Sequence, residues 1–89
     1  MSLQARLQNE LTAARKARDG AATLVLGTTL SEVKNRAIEL RRDLADDDVI
    51  EVVRRAINRR RESIPLFERA ERAELVKKEA DEVTLLELY

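Results

Sequence analysis

AATLVLGTTLSEVKNRAIELRRDL, residues 21–44, decides the fold. Leu26, Leu30, Val33, Ala37, Leu40 and Leu44 recur at spacings of 4, 3, 4, 3 and 4 residues. Only a helix turning every 3.6 residues gathers that series on one side. A second stripe, Leu24, Gly27, Ser31 and Ile38, lies about 120° round the same helix. This predicts a helix over 21–42, contacted on two sides and so central. Gly27 weakens it by about 1 kcal/mol relative to Ala, and close approach of a neighbouring helix is its expected use.

Outward from this stretch the helical period persists. Leu3, Leu7, Leu11 and Ala14 share a face and predict a helix over 3–18. Ser2 stands at its N-cap, where a hydroxyl accepts an otherwise unpaired backbone N–H. Asp19-Gly20 ends it, with Gly20 expected in the left-handed conformation. After Leu44 the acids Asp46, Asp47 and Asp48 open a third helix over 46–70. Asp46 is expected to cap it, and the other two complement its dipole. Its apolar face is Val49, Val53, Ala56, Ile57, Ile64 and Phe67. Pro65 cannot donate to the carbonyl of Arg61. Because the apolar phase runs on unbroken, a kink near Pro65 is favoured over a true break capped by Ser63. A fourth helix is expected over 73–89, with Leu75, Val76, Ala80, Val83 and Leu86 inward. The junction near 70–72 has no Gly and is poorly placed by sequence alone. The fold class is therefore all-α, a small bundle of about four helices, with residues 1–89 read as a single domain.

Composition agrees. Apolar residues are 44% of the chain and aromatics 2%, so the core must be aliphatic; 38% charged residues with two Gly and one Pro suit helices better than sheets. The chain has no Cys and no His. A disulfide framework, a thiolate nucleophile, a Ser–His dyad and a Cys/His metal site are thereby excluded. No catalytic residues, cofactor or metal are expected. No long apolar run suggests a signal peptide or a membrane span, which predicts a cytoplasmic protein with no membrane partner.

Seventeen basic residues balance seventeen acidic ones, which argues against a strong nonspecific polyanion binder. The local distribution is uneven. The stretch RRAINRRR, residues 54–61, holds five arginines and no acid. On a helical wheel Arg54, Asn58 and Arg61 share one outward face, and Arg55, Arg59 and Glu62 share the adjacent one. Guanidinium forks match phosphate oxygens, so this ridge is a candidate phosphate-binding surface, helped by Lys16 and Arg18. A solvated face with surface ion pairs is the other reading. The ridge has no interleaved aromatics, so base stacking is not indicated. Arg60 falls in the middle of the third helix's apolar face, and Glu79 in the middle of the fourth's. Inward charges need partners, and Arg60 with Glu79 is the expected structural ion pair, with Glu82, one turn away, as the fallback partner.

The order and spacing of several segments add a further reading. MSLQARLQNEL at the start, AARKARD at 13–19, LSEVKN at 30–35 and VIEVVRRAINRRRESI at 49–64 are followed by Phe67, Leu75, Lys78-Glu79, Glu82, Leu85-Leu86 and Tyr89. Together they resemble the amino-terminal half of the GatB/YqeY family over nearly the whole chain. The resemblance implies a helical domain related to the carboxy-terminal region of the B subunit of glutamine-dependent tRNA amidotransferase. In that family the helical region and a small tail domain hold tRNA, while the amidotransfer and glutaminase chemistry belongs to other domains. Family chains continue past Tyr89 into that smaller domain, which this chain is expected to lack. They also carry Gly where this chain has Glu71, Arg where it has Gly27, and a Thr cap where it has Ala45. The expectation is a noncatalytic domain with an accessory tRNA-binding or docking role. The alternatives are a structural bundle that partners itself or another protein, and a fragment of a carbon–nitrogen ligase with glutamine as amido-N-donor.

Overall fold

The computed structural model describes residues 2–89. Four helices follow one another: α1 (Leu3–Lys16), α2 (Gly20–Leu40), α3 (Asp46–Arg69) and α4 (Ala73–Leu86). They hold 83% of the described residues, with no strand among them. The fold is all-α. The chain falls into two compact units, one ending at Val52 and the other beginning at Val53, so the division lies within α3.

In the first unit α1 packs against α2. Leu7, Leu11 and Ala14 of α1 are buried, as are Val25, Leu26, Thr29, Leu30 and Val33 of α2 and Val49 and Val52 of α3. The second expected stripe of α2 is not buried: Leu24 is 59% and Ile38 73% exposed, and Ser31 is exposed too. Val25 and Thr29 instead widen the stripe of Leu26, Leu30 and Val33, so one broad face is buried rather than two separate ones. Thr29 fits there because its hydroxyl donates to the Val25 carbonyl at 2.8 Å. Gly27 does not serve a close approach either. A Cβ at that position would meet only Leu11 Cδ1, at 3.9 Å, an ordinary contact.

The three reversals share one device. After α1 the N–H of Asp19 donates to Ala14 O and that of Arg18 to Arg15 O. The same pair of bonds recurs after α2 (Arg42 to Ala37, Arg41 to Ile38) and after α3 (Arg72 to Phe67, Glu71 to Glu68). This is the Schellman closure, which needs one left-handed residue. Arg18, Arg41 and Glu71 supply it, with φ of 56°, 55° and 56°. No glycine has positive φ, so Gly20 is not the left-handed residue expected of it. It begins α2, and the Asp19 side chain caps that helix by accepting from Ala22 N–H at 3.0 Å. Ser2 caps α1 through a bond from Ala5 N–H, as expected.

Asp46 is not the cap of α3. It is the first residue of the helix, and its carboxylate accepts the N–H of Leu3 at 3.0 Å. That satisfies one of the unpaired donors at the start of α1. Asp48 does the closing at α3. It accepts from Ala45 N–H at 2.9 Å, reaching back as the acid of a capping box does. The same carboxylate takes a two-pronged grip from Arg42, at 2.8 and 3.0 Å. These bonds, Arg42's first, hold the Asp48 carboxyl down at about 2 against an ordinary 3.8. Pro65 lies inside α3, which continues through it to Arg69.

The second unit is a helical hairpin. Val53, Ala56, Val83 and Leu86 are buried, while Ile57, Ile64, Phe67, Leu75 and Val76 are half-buried and Ala80 is exposed. Burial thus fades towards the tip at Glu71.

Two outcomes follow from these ends. Glu71→Gly is expected to stabilise the protein by about 0.5–1 kcal/mol, because it removes a left-handed strain of about 1–2 kcal/mol at some cost in unfolded-chain entropy. Glu71→Ala, equally strained, gives no such gain, and urea denaturation of both variants checks this. Asp48 binds its proton more weakly folded than unfolded, so its contribution is full above about pH 4 and is lost as pH falls through about 2. Asp48→Asn removes that part of the acid dependence, measured by denaturation at stepped pH and by carboxyl titration in NMR.

Candidate nucleic-acid interface

The arginine row of α3 exists because RRAINRRR keeps its apolar residues, Ala56 and Ile57, in phase with Val53. The remaining residues of the stretch, Arg60 apart, turn outward. Arg54, Arg55, Asn58, Arg59 and Arg61 are all exposed. Arg54, Arg55 and Arg59 each interact with a neighbouring group, and Arg61 Nη2 lies 3.5 Å from Glu87 Oε1. The structure brings these four guanidiniums onto one helix over about two turns. Lys16 and Arg18 belong to the other unit, at the C-terminal end of α1, and both are exposed.

Arg60 differs from its neighbours. It points inward, with 13% of its side chain exposed. Its Nε donates to Glu82 Oε1 at 2.8 Å, and its Nη1 donates to the Ala56 carbonyl at 2.9 Å. The second Glu82 oxygen receives Lys78 Nζ at 3.0 Å. That hydrogen bond holds the Lys78 ammonium above its ordinary range, against a smaller opposing push from desolvation. Glu82 is 8% exposed. Buried charges demand this degree of pairing.

The expected partner, Glu79, is displaced from that role. Its carboxylate lies 3.7 Å from Lys78 Nζ, and it does not take Arg60. The reason is register. In an antiparallel hairpin, residues equally far from the turn face each other. Arg60 and Glu82 stand at equal distances on either side of Glu71, the left-handed residue of the turn. Glu79 faces positions nearer the tip. A turn without glycine hides its centre, and one turn of error in the register moves the partner from Glu82 to Glu79. Glu82 was the fallback expectation, one turn away, and it is the partner found. It sits at helical spacing with Glu79, Val83 and Leu86, so its own phase pointed inward.

The hairpin tip carries a hollow of about 450 Å³ lined by Glu68, Glu71, Arg72, Ala73, Val76 and Lys77. Arg72 is engaged by Glu74 at 2.7 Å and Lys77 by Asp81 at 2.6 Å, so its cations are already matched by acids. The arginine row of α3 is the feature with chemistry to offer, and that chemistry is recognition of anionic oxygens.

All-helical architecture, a buried ion pair fixing a hairpin and a row of exposed arginines beside it define a helical scaffold that presents cations. The family is identified by its sequence: the model of the Yqey-like protein family matches residues 4–89, and the chain belongs to that family. Among curated proteins it is similar to "Altered inheritance of mitochondria protein 41, mitochondrial" of Kluyveromyces lactis, 34% identical over 86 residues. The match covers 96% of this chain and 46% of that protein, so the chain spans about half of its relative's length. Among the described residues no helix is long and apolar enough to cross a membrane.

Arg60→Ala is expected to destabilise the protein by about 2–4 kcal/mol, because it strips a buried carboxylate of its main partner. Lys78 limits the loss. A double-mutant cycle is expected to place the coupling between Arg60 and Glu82, with little between Arg60 and Glu79. Coupling to Glu79 alone would contradict the register described.

Proposed function

We propose that this domain is a noncatalytic YqeY-family module that docks on the phosphate backbone of RNA, with tRNA as the class of ligand. The observation that carries this reading is the row Arg54, Arg55, Arg59 and Arg61, exposed together on one helix of a chain with no net charge. A uniform basic coat would imply nothing specific. Four guanidiniums gathered on one ridge supply a local field and forked donors suited to phosphate oxygens. Surface ion pairs with neighbouring acids do not remove that capacity, since exposed pairs are worth little and exchange readily with a phosphate. Lys16 and Arg18 supply further exposed cations in the other unit.

Recognition by such a surface is directed by shape and charge. The only aromatics, Phe67 and Tyr89, are half-buried, so no stacking platform accompanies the ridge. The resemblance of the sequence to the GatB/YqeY family, which implies kinship with the tRNA amidotransferase B subunit, supports tRNA over other nucleic acids. Chemistry on the RNA falls to other domains or proteins, because this chain offers neither thiol nor imidazole. A cytoplasmic setting is part of the proposal, in keeping with a cysteine-free sequence.

Binding to unfractionated tRNA at low salt is expected, with log affinity falling against log salt at a slope of about −3 for three or four phosphates engaged. Charge reversal at Arg55 and Arg59 together is expected to abolish it while leaving the helical circular dichroism spectrum unchanged. Undiminished binding by that variant would reduce the ridge to surface decoration. Absence of binding by the unaltered domain would favour the structural or oligomerising alternative.

A further inference from the structure

The C-terminal end of α4 has an electrostatic deficit. Its last turn contains no basic residue, and its cap is Glu87. A carboxylate there faces the negative end of the helix dipole, the unfavourable arrangement. The cation that offsets it comes from α3, where Arg61 Nη2 lies 3.5 Å from Glu87 Oε1. Arg61 also belongs to the arginine row. One guanidinium therefore serves both the end of α4 and the ridge.

The pair is built to exchange. Its side chains are 56% and 52% exposed, and the separation is long for a charge-assisted bond. The neighbouring Arg60–Glu82 pair is the opposite case, 13% and 10% exposed at 2.8 Å with Lys78 as a second cation. Beyond the Arg61 contact, Glu87 and Leu88 are held by backbone bonds to Val83 and Leu85, while Tyr89 has its bond to Leu86 and a further interaction of its own. Leu88 is 62% exposed, while Leu86 is fully buried and anchors the helix before them.

We infer that Arg61 is a shared cation: when the ridge is occupied, a phosphate takes Arg61 from Glu87, and the end of α4 at Glu87 and Leu88 loosens. This rests on the reading that the ridge binds RNA. Glu87 thus competes with the ligand for one of the four arginines, and occupancy of the ridge is transmitted to the end of α4. No bond is made or broken in the exchange other than these ionic contacts.

The test uses fluorescein-labelled tRNA at low salt with the unaltered domain, Glu87→Gln, Arg61→Gln and the double variant. Glu87→Gln is expected to tighten binding by about two- to fourfold, the scale of an exposed ion pair. The same change made in the Arg61→Gln background is expected to have no effect. Amide exchange at Glu87 and Leu88 is expected to accelerate when tRNA is added to the unaltered domain, and to be fast already in Glu87→Gln. Binding by Glu87→Gln alone would also support the exchange. Equal affinities, or exchange unchanged by tRNA, would overturn the shared-cation inference and leave the RNA reading standing. Failure of both the unaltered domain and Glu87→Gln to bind would overturn the RNA reading and this inference with it.

Discussion

Every helix–helix reversal in this chain depends on a left-handed residue that is not glycine. Arg18, Arg41 and Glu71 each take φ near 56°, a conformation that costs a side-chain-bearing residue about 1–2 kcal/mol. The closure tolerates this because it satisfies two carbonyls at each helix end that would otherwise lack partners. Its position then dictates everything downstream. It ends α1 at Lys16, so that Asp19 is free to cap α2. It ends α2 at Leu40 and leaves Arg42 within reach of Asp48. It centres the second hairpin on Glu71 and so sets which residues of α3 and α4 face each other.

The charged residues divide by what that register does to them. Arg60 and Glu82 meet in a largely buried setting, where each is costly alone and tolerable only with full pairing. Among the described residues no buried side-chain nitrogen or oxygen lacks a hydrogen-bond partner. Buried Thr29 meets the same demand locally, through the carbonyl one turn back. The arginines beside Arg60 are chemically identical and lie one or a few residues away, yet they remain in solvent. A helix converts a run of like residues into two populations, one structural and one available to a ligand, with no change in composition.

Acids are put to comparably different uses. Asp46, Asp47 and Asp48 all stand in the first turn of α3, where the dipole favours them. Asp46 reaches the first N–H of α1, and Asp48 closes its own helix and clasps Arg42. Neither use is a property of aspartate in a first turn; each follows from which donor the fold leaves nearby. Glu87 is the acid on the unfavourable end of a helix, and it leans on Arg61 for that reason. The proposed exchange of that arginine makes an electrostatic mismatch into a means of sensing occupancy.

Periodicity made the four helices legible, to within a few residues at each end, because a spacing of 3.6 is a property of the local chain. The outward phase of Arg54, Arg55, Arg59 and Arg61 and the inward phase of Arg60 were legible for the same reason. Partners were not. Whether Leu24 and Ile38 are covered, whether Gly27 is needed, and whether Arg60 meets Glu79 or Glu82 depend on where a neighbouring helix lies. That in turn depends on the residue at which each helix stops. Glycine would have marked those stops. This sequence places arginine and glutamate in the left-handed positions instead, and such residues carry no local signal, because only the completed turn repays their strain. The sequence by itself determined the helices and the angular place of each side chain around its own helix; the tertiary structure decided which of those faces are covered and the register between helices, and with it the Arg60–Glu82 pairing.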